Sequence, residues 1–256
     1  MKILTLYFSH RWWWTTLLMF LVVAVCLRLA FWQIGRMKQQ QAADDHLRAM
    51  SSAETLDLNG ISGTPDLLSM EYRKATAQGR YDFDHQIALR NQYWGIQDGP
   101  AQYGFHLLTP LVLDDARAVL VDRGWIPGEY TIPESWRQFD DDARATVSGV
   151  LRLPLLKGEM GGGVPNPTAA PGESVLATWN YLDFERIQQQ LPYPLLPVYL
   201  QETPGDDVLT LPYESSPEVA LSENTHIGYA AMWFFYAALA FFGYPVYLRR
   251  RNLSNE

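Results

Sequence analysis

A histidine followed by aromatic residues at helical spacing is the part of this 256-residue chain best suited to hold a cofactor. His226, Tyr229, Trp233 and Tyr236 are separated by three, four and three positions, so on a helix they share one face. An imidazole there can ligate a haem iron while apolar and aromatic side chains cover the macrocycle. The same residues also read as an ordinary helix-start histidine and an interfacial aromatic belt, and the spacing leaves both readings open. Trp32, Gln33 and Arg36 close another apolar run, and Arg36 or Arg28 suits pairing with a haem propionate. Other chemistry is thin. The chain has no G-x-S-x-G, no H-E-x-x-H and no cysteine cluster. Asp82, Asp84 and His85 read as a solvated turn, with a metal site as the alternative. Asp140–Asp142 reads as a solvated loop; His46 and His106 have no evident partners, and His106, within the strand GFHLL, reads as a satisfied structural histidine. The glycines of residues 158–172 lack the strand-to-helix context and the Gly-Lys-Ser/Thr of a phosphate cradle.

Two apolar runs must position the histidine and the Trp32–Arg36 segment. One extends from Trp12 to Leu27 and continues past Arg28 to Gly35; the other extends from Ile227 to Leu248. A helix of about 22 residues spans roughly 33 Å, close to a bilayer's hydrocarbon thickness. Trp12, Trp13 and Trp14, behind His10 and Arg11, suit an interface. Arg28 lies near the outer end, where it can snorkel to water or pair with a group of the other helix. Lys38–Arg48 reads as a helical extension in water. The organisation expected is a transmembrane helix over 12–34, an extracytoplasmic domain over 35–225 and a second transmembrane helix over 227–248. Of 20 Lys and Arg and 28 Asp and Glu, the stretch from 35 to 225 holds 14 basic and 27 acidic residues, a formal charge of −13. Basic tails stay in the cytoplasm, which places both termini inside and the acidic domain outside. Such a domain repels nucleic acid. The single cysteine, Cys26, cannot form an internal disulfide, and its context lacks a cleavage site, so the first run reads as an uncleaved anchor.

Between the runs, residues 70 to 200 read mostly as strands. Ala145, Val147, Gly149, Leu151 and Leu153 alternate with more polar neighbours, the period of a strand with one buried face. Residues 86–93 alternate similarly. Residues 103–113 and 116–126 read as a hairpin turning at Leu113-Asp114-Asp115-Ala116, where Asp-Ala is a poorer turn pair than Asp-Gly. Gly79, Gly104 and Gly124 mark bulges or sharp bends. A short helix is expected over Phe184–Leu191, capped by Asp183 and stopped by Pro192, followed by a last strand over 194–201. The expected fold is a mostly antiparallel β-barrel or sandwich with one or two short helices, flanked by the two transmembrane helices.

Motifs in order along the chain carry a resemblance. Phe31-Trp32-Gln33-Ile34-Gly35-Arg36, Gly79-Arg80-Tyr81-Asp82, Gly104–Leu111, Leu120-Val121-Asp122-Arg123-Gly124-Trp125-Ile126-Pro127, Gly149–Arg152, Trp179–Asp183 and His226–Phe234 resemble the blocks of the surfeit-locus cytochrome oxidase assembly proteins, the Surf-one family. The resemblance implies a non-enzymatic assembly factor for haem-copper cytochrome c oxidase that binds haem a and assists its insertion into the catalytic subunit. A haem-independent membrane scaffold for oxidase subunits or other assembly factors is the alternative. It implies His226 as the haem-iron ligand, with Tyr229, Trp233, Trp32 and Arg36 around the cofactor. The partners implied are the oxidase catalytic subunit, haem a synthase and the lipid bilayer, in a bacterial inner membrane with the domain in the periplasm. The family often has Asn-Asn before that histidine, where this chain has Asn224-Thr225.

Overall fold

The computed structural model describes residues 10, 12–61, 66–95, 101–154, 164–168, 175–205, 210–215 and 225–253, without the side chains of residues 225, 226, 252 and 253. The chain divides into two compact units, Met1–His46 with Ala220–Glu256, and Leu47–Val219. The Gly-rich stretch 158–172 lies outside the described residues except for 164–168.

Helix α1, Trp13–Ser52, is continuous over 40 residues, about 60 Å at the usual rise. It carries the expected extension because Lys38–Met50 is rich in Gln and Ala and adds Lys, Leu, Arg and Met, all good helix formers. It ends where the Ser52 hydroxyl turns back to the Arg48 carbonyl at 2.7 Å.

The larger unit holds a mixed eight-stranded sheet. Its strands are β1 Leu56–Asp57, β2 Lys74–Tyr81, β3 Ile87–Trp94, β4 Gln102–Leu113, β5 Ala118–Pro127, β6 Arg144–Arg152, β7 Thr178–Trp179 and β8 Leu195–Glu202. Their order is β1-β2-β6-β8-β5-β4-β3-β7, and β2 also pairs with β4. That extra pairing closes β2, β6, β8, β5 and β4 into a ring, so the expected alternative of a barrel is the one that forms. Pairing is mostly antiparallel, as expected, but the sheet is mixed, because β1–β2, β3–β7 and β5–β8 are parallel ladders. Alternation along a strand reports its buried face but not the direction of its neighbour. The long connection from β5 to β8 provides the crossover that a parallel pair requires.

One cluster, including Ala77, Tyr81, Leu111, Val121, Val147 and Leu200, takes residues from all five ring strands and fills the interior. Gly79 sits on that wall, where a Cβ would collide with the backbone of Val112, so glycine lets β2 lie between β6 and β4. The outside of the sheet is covered twice. Helix α2, Phe184–Gln188, lays Ile187 with Trp179 and Leu182 over Leu108 and Leu120. The 3-10 turn Pro133–Phe139 lays Trp136 and Phe139 over Phe105 and Ile126. As expected, Asp183 caps α2, its carboxylate accepting from the Arg186 amide at 3.2 Å. Helix α3, Thr225–Leu253, belongs to the other unit.

The hairpin β4–β5 turns where expected. Ala116 takes φ +65°, a left-handed conformation that costs a residue bearing a Cβ. Replacing Ala116 with Gly is expected to raise unfolding stability by about 0.5–1 kcal/mol, read from denaturant unfolding of the two proteins side by side.

Candidate functional site

The unit containing the two long helices places most of the residues singled out for cofactor binding. Thr16, Met19, Cys26 and Ala30 of α1 are buried, as are Ala230, Ala237 and Leu248 of α3. Small residues at such positions let two helices approach closely. Three contacts set the register. Trp12 meets Tyr247 edge to face at 6.3 Å, and the Thr15 and Thr16 hydroxyls lie 2.7 and 2.9 Å from the Tyr244 hydroxyl. At the other end Phe31 meets Phe234 edge to face at 5.7 Å. The helices are therefore antiparallel.

This register brings the candidates to one level. Trp32 follows Phe31, Trp233 precedes Phe234, and Arg36 and Tyr229 lie about a turn beyond that contact on their respective helices. Trp32 and Tyr229 are half exposed, at 54% and 53%, so they stand on the outside of the pair. Trp233 is half-buried and meets Tyr236 edge to face at 6.1 Å, in keeping with a shared stripe. Arg36 donates to Gln39 Oε1 at 3.3 Å. His226 falls in the first turn of α3, but its side chain is outside the described residues. Arg28 is exposed and makes no hydrogen bond or ion pair with α3 among the described residues. Leu17, Leu18, Phe31, Phe235, Leu239 and Phe242 are all more than half exposed, so the pair has an apolar exterior.

A second polar site, inside one end of the barrel, was not foreseen. Arg123 is 2% exposed. Its guanidinium lies over the Tyr81 and Phe83 rings at 5.4 and 5.5 Å, and donates to the Phe139 carbonyl and the Asp141 carboxylate. Gln86 Oε1 accepts from Arg123 at 3.4 Å and from the Thr109 hydroxyl at 3.0 Å, while Gln86 Nε2 donates to Asp140 at 2.8 Å. Asp141 and Asp142 are exposed, as a solvated loop requires, but Asp141 also pairs with the buried Arg123, and Asp140 holds the Gln86 amide that accepts from it. Burial, then the charge of Glu214, pushes the Glu202 carboxyl up to about 7, against the pull of Arg123. Burial and the Glu202 charge also push the Tyr81 hydroxyl up. This end of the barrel therefore changes charge near neutral pH. The signal available in the sequence was Asp122-Arg123 inside β5, a strand otherwise apolar enough to be buried on both faces.

His106 is a satisfied structural histidine, and its partner is Asp122: its Nδ1 lies 2.8 and 3.0 Å from the two carboxylate oxygens across the β4–β5 ladder. Burial alone would lower the imidazole pKa, but the Asp122 charge and hydrogen bond outweigh it and the net shift is upward. Asp82 bonds His85 Nδ1 at 2.7 Å and accepts from the Tyr193 hydroxyl at 2.7 Å, while Asp84 pairs with Arg137. Asp82 is a structural hub rather than a solvated turn. Among the described residues no three His, Cys, Asp or Glu side chains gather closely enough for a metal ion.

The profile of one protein family, described as the SURF1 family, matches residues 20–238. Surfeit locus protein 1 of Takifugu rubripes is 24% identical over 225 residues, covering 84% of this chain and 88% of that protein. A SURF1-like protein of Rickettsia felis is 25% identical over 234 residues, covering 90% and 93%. The protein of Saccharomyces cerevisiae named cytochrome oxidase assembly protein SHY1 is 29% identical over 118 residues, covering 45% of this chain and 29% of its own length.

The barrel end predicts a pH dependence. Between the ordinary carboxyl value of 4.5 and about 7, folded protein keeps a proton on Glu202 that the unfolded chain has released. Stability therefore falls as pH rises through that window. Glu202→Gln removes this loss, and its advantage over the unaltered protein should grow between pH 5 and pH 8 to the order of 1–3 kcal/mol. His106 has the same sign but is present in both proteins. Parallel stability–pH curves for the two would contradict the assignment.

Proposed function

Because the chain belongs to the SURF1 family, we propose that it is a membrane-bound assembly factor for haem-copper cytochrome c oxidase, holding haem a as cargo and helping to insert it into the catalytic subunit. The observation that carries this reading is the antiparallel helix pair, with its apolar exterior and its aromatic and cationic residues at one level. Leaving that many large apolar side chains in water costs roughly 1 kcal/mol or more each, so a bilayer is the fitting surroundings for helices of this length. The printed name of SHY1 supports the oxidase as client. The basic tails favour both termini in the cytoplasm and the larger unit on the periplasmic side of a bacterial inner membrane.

In this reading His226 ligates the haem iron, Trp32, Tyr229 and Trp233 offer apolar ring surface to the macrocycle, and Arg36 pairs with a propionate. Among the described residues the Arg36 guanidinium is held by a single 3.3 Å hydrogen bond, to Gln39, so it is available for that exchange. The catalytic subunit receives the haem, haem a synthase is a candidate donor, and no chemistry on the haem is assigned to this chain. A second reading is a scaffold that docks oxidase subunits or other assembly factors without touching haem. The outward exposure of Trp32 and Tyr229 favours it, since such rings equally suit a partner helix.

Protein purified from a haem a-producing host is expected to show a haem spectrum, and His226→Ala is expected to lose most of it. An undiminished spectrum in the variant removes His226 as ligand; absence of haem from both proteins favours the scaffold. A tag within residues 158–172 is expected to be reached by reagents from the periplasmic side of intact cells, and labelling only after the membrane is opened would overturn the orientation.

A further inference from the structure

We propose that the outer face of the barrel, where β2 runs between β4 and β6, binds a phosphate-type dianion between Arg80 and Arg144. The two arginines are direct partners in the antiparallel β2–β6 ladder. The Tyr81 amide donates to the Ala143 carbonyl at 2.8 Å, which makes the adjoining Arg80–Arg144 pair the non-hydrogen-bonded kind, whose side chains come closest. On its other side Arg80 faces Val112 of β4. All three residues line one groove of about 590 Å³. A neighbouring groove of about 520 Å³ shares Arg80 and Val112 and adds Arg137.

Like charges directly opposite one another on a sheet are destabilising. Here they sit together although the stretch from 35 to 225 carries a formal charge of −13 and could readily supply carboxylates. The three carboxylates that line the neighbouring groove are otherwise engaged: Asp82 by His85 and Tyr193, Asp84 by Arg137, and Asp140 by Gln86. Both arginines are exposed, and neither has an ion-pair or hydrogen-bond partner among the described residues. Asp114 also lines the first groove but is paired with neither arginine among those residues. Two arginines paired across the ladder and lining one open groove suit a single tetrahedral dianion, which can accept from both at once, whereas one carboxylate satisfies one guanidinium fork. The shared chemistry is a phosphate monoester group, borne by a soluble metabolite or by a lipid headgroup. This site is independent of the haem reading.

The test is thermal unfolding of the full chain in detergent, titrated with inorganic phosphate at constant ionic strength set by chloride. A parallel arm compares mixed micelles containing phosphatidic acid with micelles containing phosphatidylcholine. The unaltered protein is expected to gain Tm with phosphate, saturably. Arg80→Gln and Arg144→Gln should each start at or above the unaltered Tm, because repulsion is relieved, and should lose most of the gain. A gain confined to phosphatidic acid and lost in the variants assigns the lipid headgroup; a gain confined to inorganic phosphate and lost in the variants assigns a soluble ligand. A gain that never saturates and is equal in the variants, no gain in either arm, or variants that unfold below the unaltered protein without anion would each overturn the proposal.

Discussion

Two residues, Gly79 and Arg80, pair with two strands at once, and the larger unit depends on it. On one side they meet β6, on the other β4, and the five-stranded ring closes there. Closure requires close backbone approach, which the missing Cβ of Gly79 permits against Val112. The pleat then divides neighbouring side chains between two environments. Tyr81 points inward, where its ring lies under the Arg123 guanidinium. Arg80 points outward, where it meets Arg144. The charge-changing end of the barrel and the basic groove on its surface are two sides of one strand.

The interior end is costly to build. A guanidinium that is 2% exposed must recover its lost hydration from specific partners. It does so from the Phe139 carbonyl, Asp141, Gln86 and two aromatic faces, drawn from separate parts of the chain. These partners tie the 3-10 turn Pro133–Phe139 and the acidic loop after it to the ring. The helix pair is built on the opposite principle. Small side chains and a few hydroxyls hold its seam, and large apolar residues face outward. Such a surface demands lipid or a partner, so the two units call for different surroundings.

Much of this was legible from residues alone. The two apolar runs, the alternation of β6, the β4–β5 hairpin and the Asp183 cap follow from local periodicity and capping chemistry, which need no knowledge of the rest of the chain. The mostly antiparallel pairing was legible but the parallel pairs were not, since β5 and β8 are parallel only because of the path between them. The partners of His106 and Asp140 were missed for the same reason: they come from across a ladder or from Gln86, 54 residues away. Of the candidate site, the shared level of Trp32 and Trp233 agrees with the antiparallel frame read from the paired runs, whereas the outward exposure of Trp32 depends on which face of α1 meets α3. The spacing of His226, Tyr229, Trp233 and Tyr236 was plain, but spacing does not distinguish a ligand from a belt.

The central functional claim is that oxidase assembly depends on this chain. Its most direct measure is the amount of assembled cytochrome oxidase in membranes of the host, with and without the gene, while catalytic-subunit transcript is held constant. A marked loss of assembled, active oxidase that is restored by re-expressing the full chain is the expected result. Membranes that contain undiminished oxidase in its absence would contradict it.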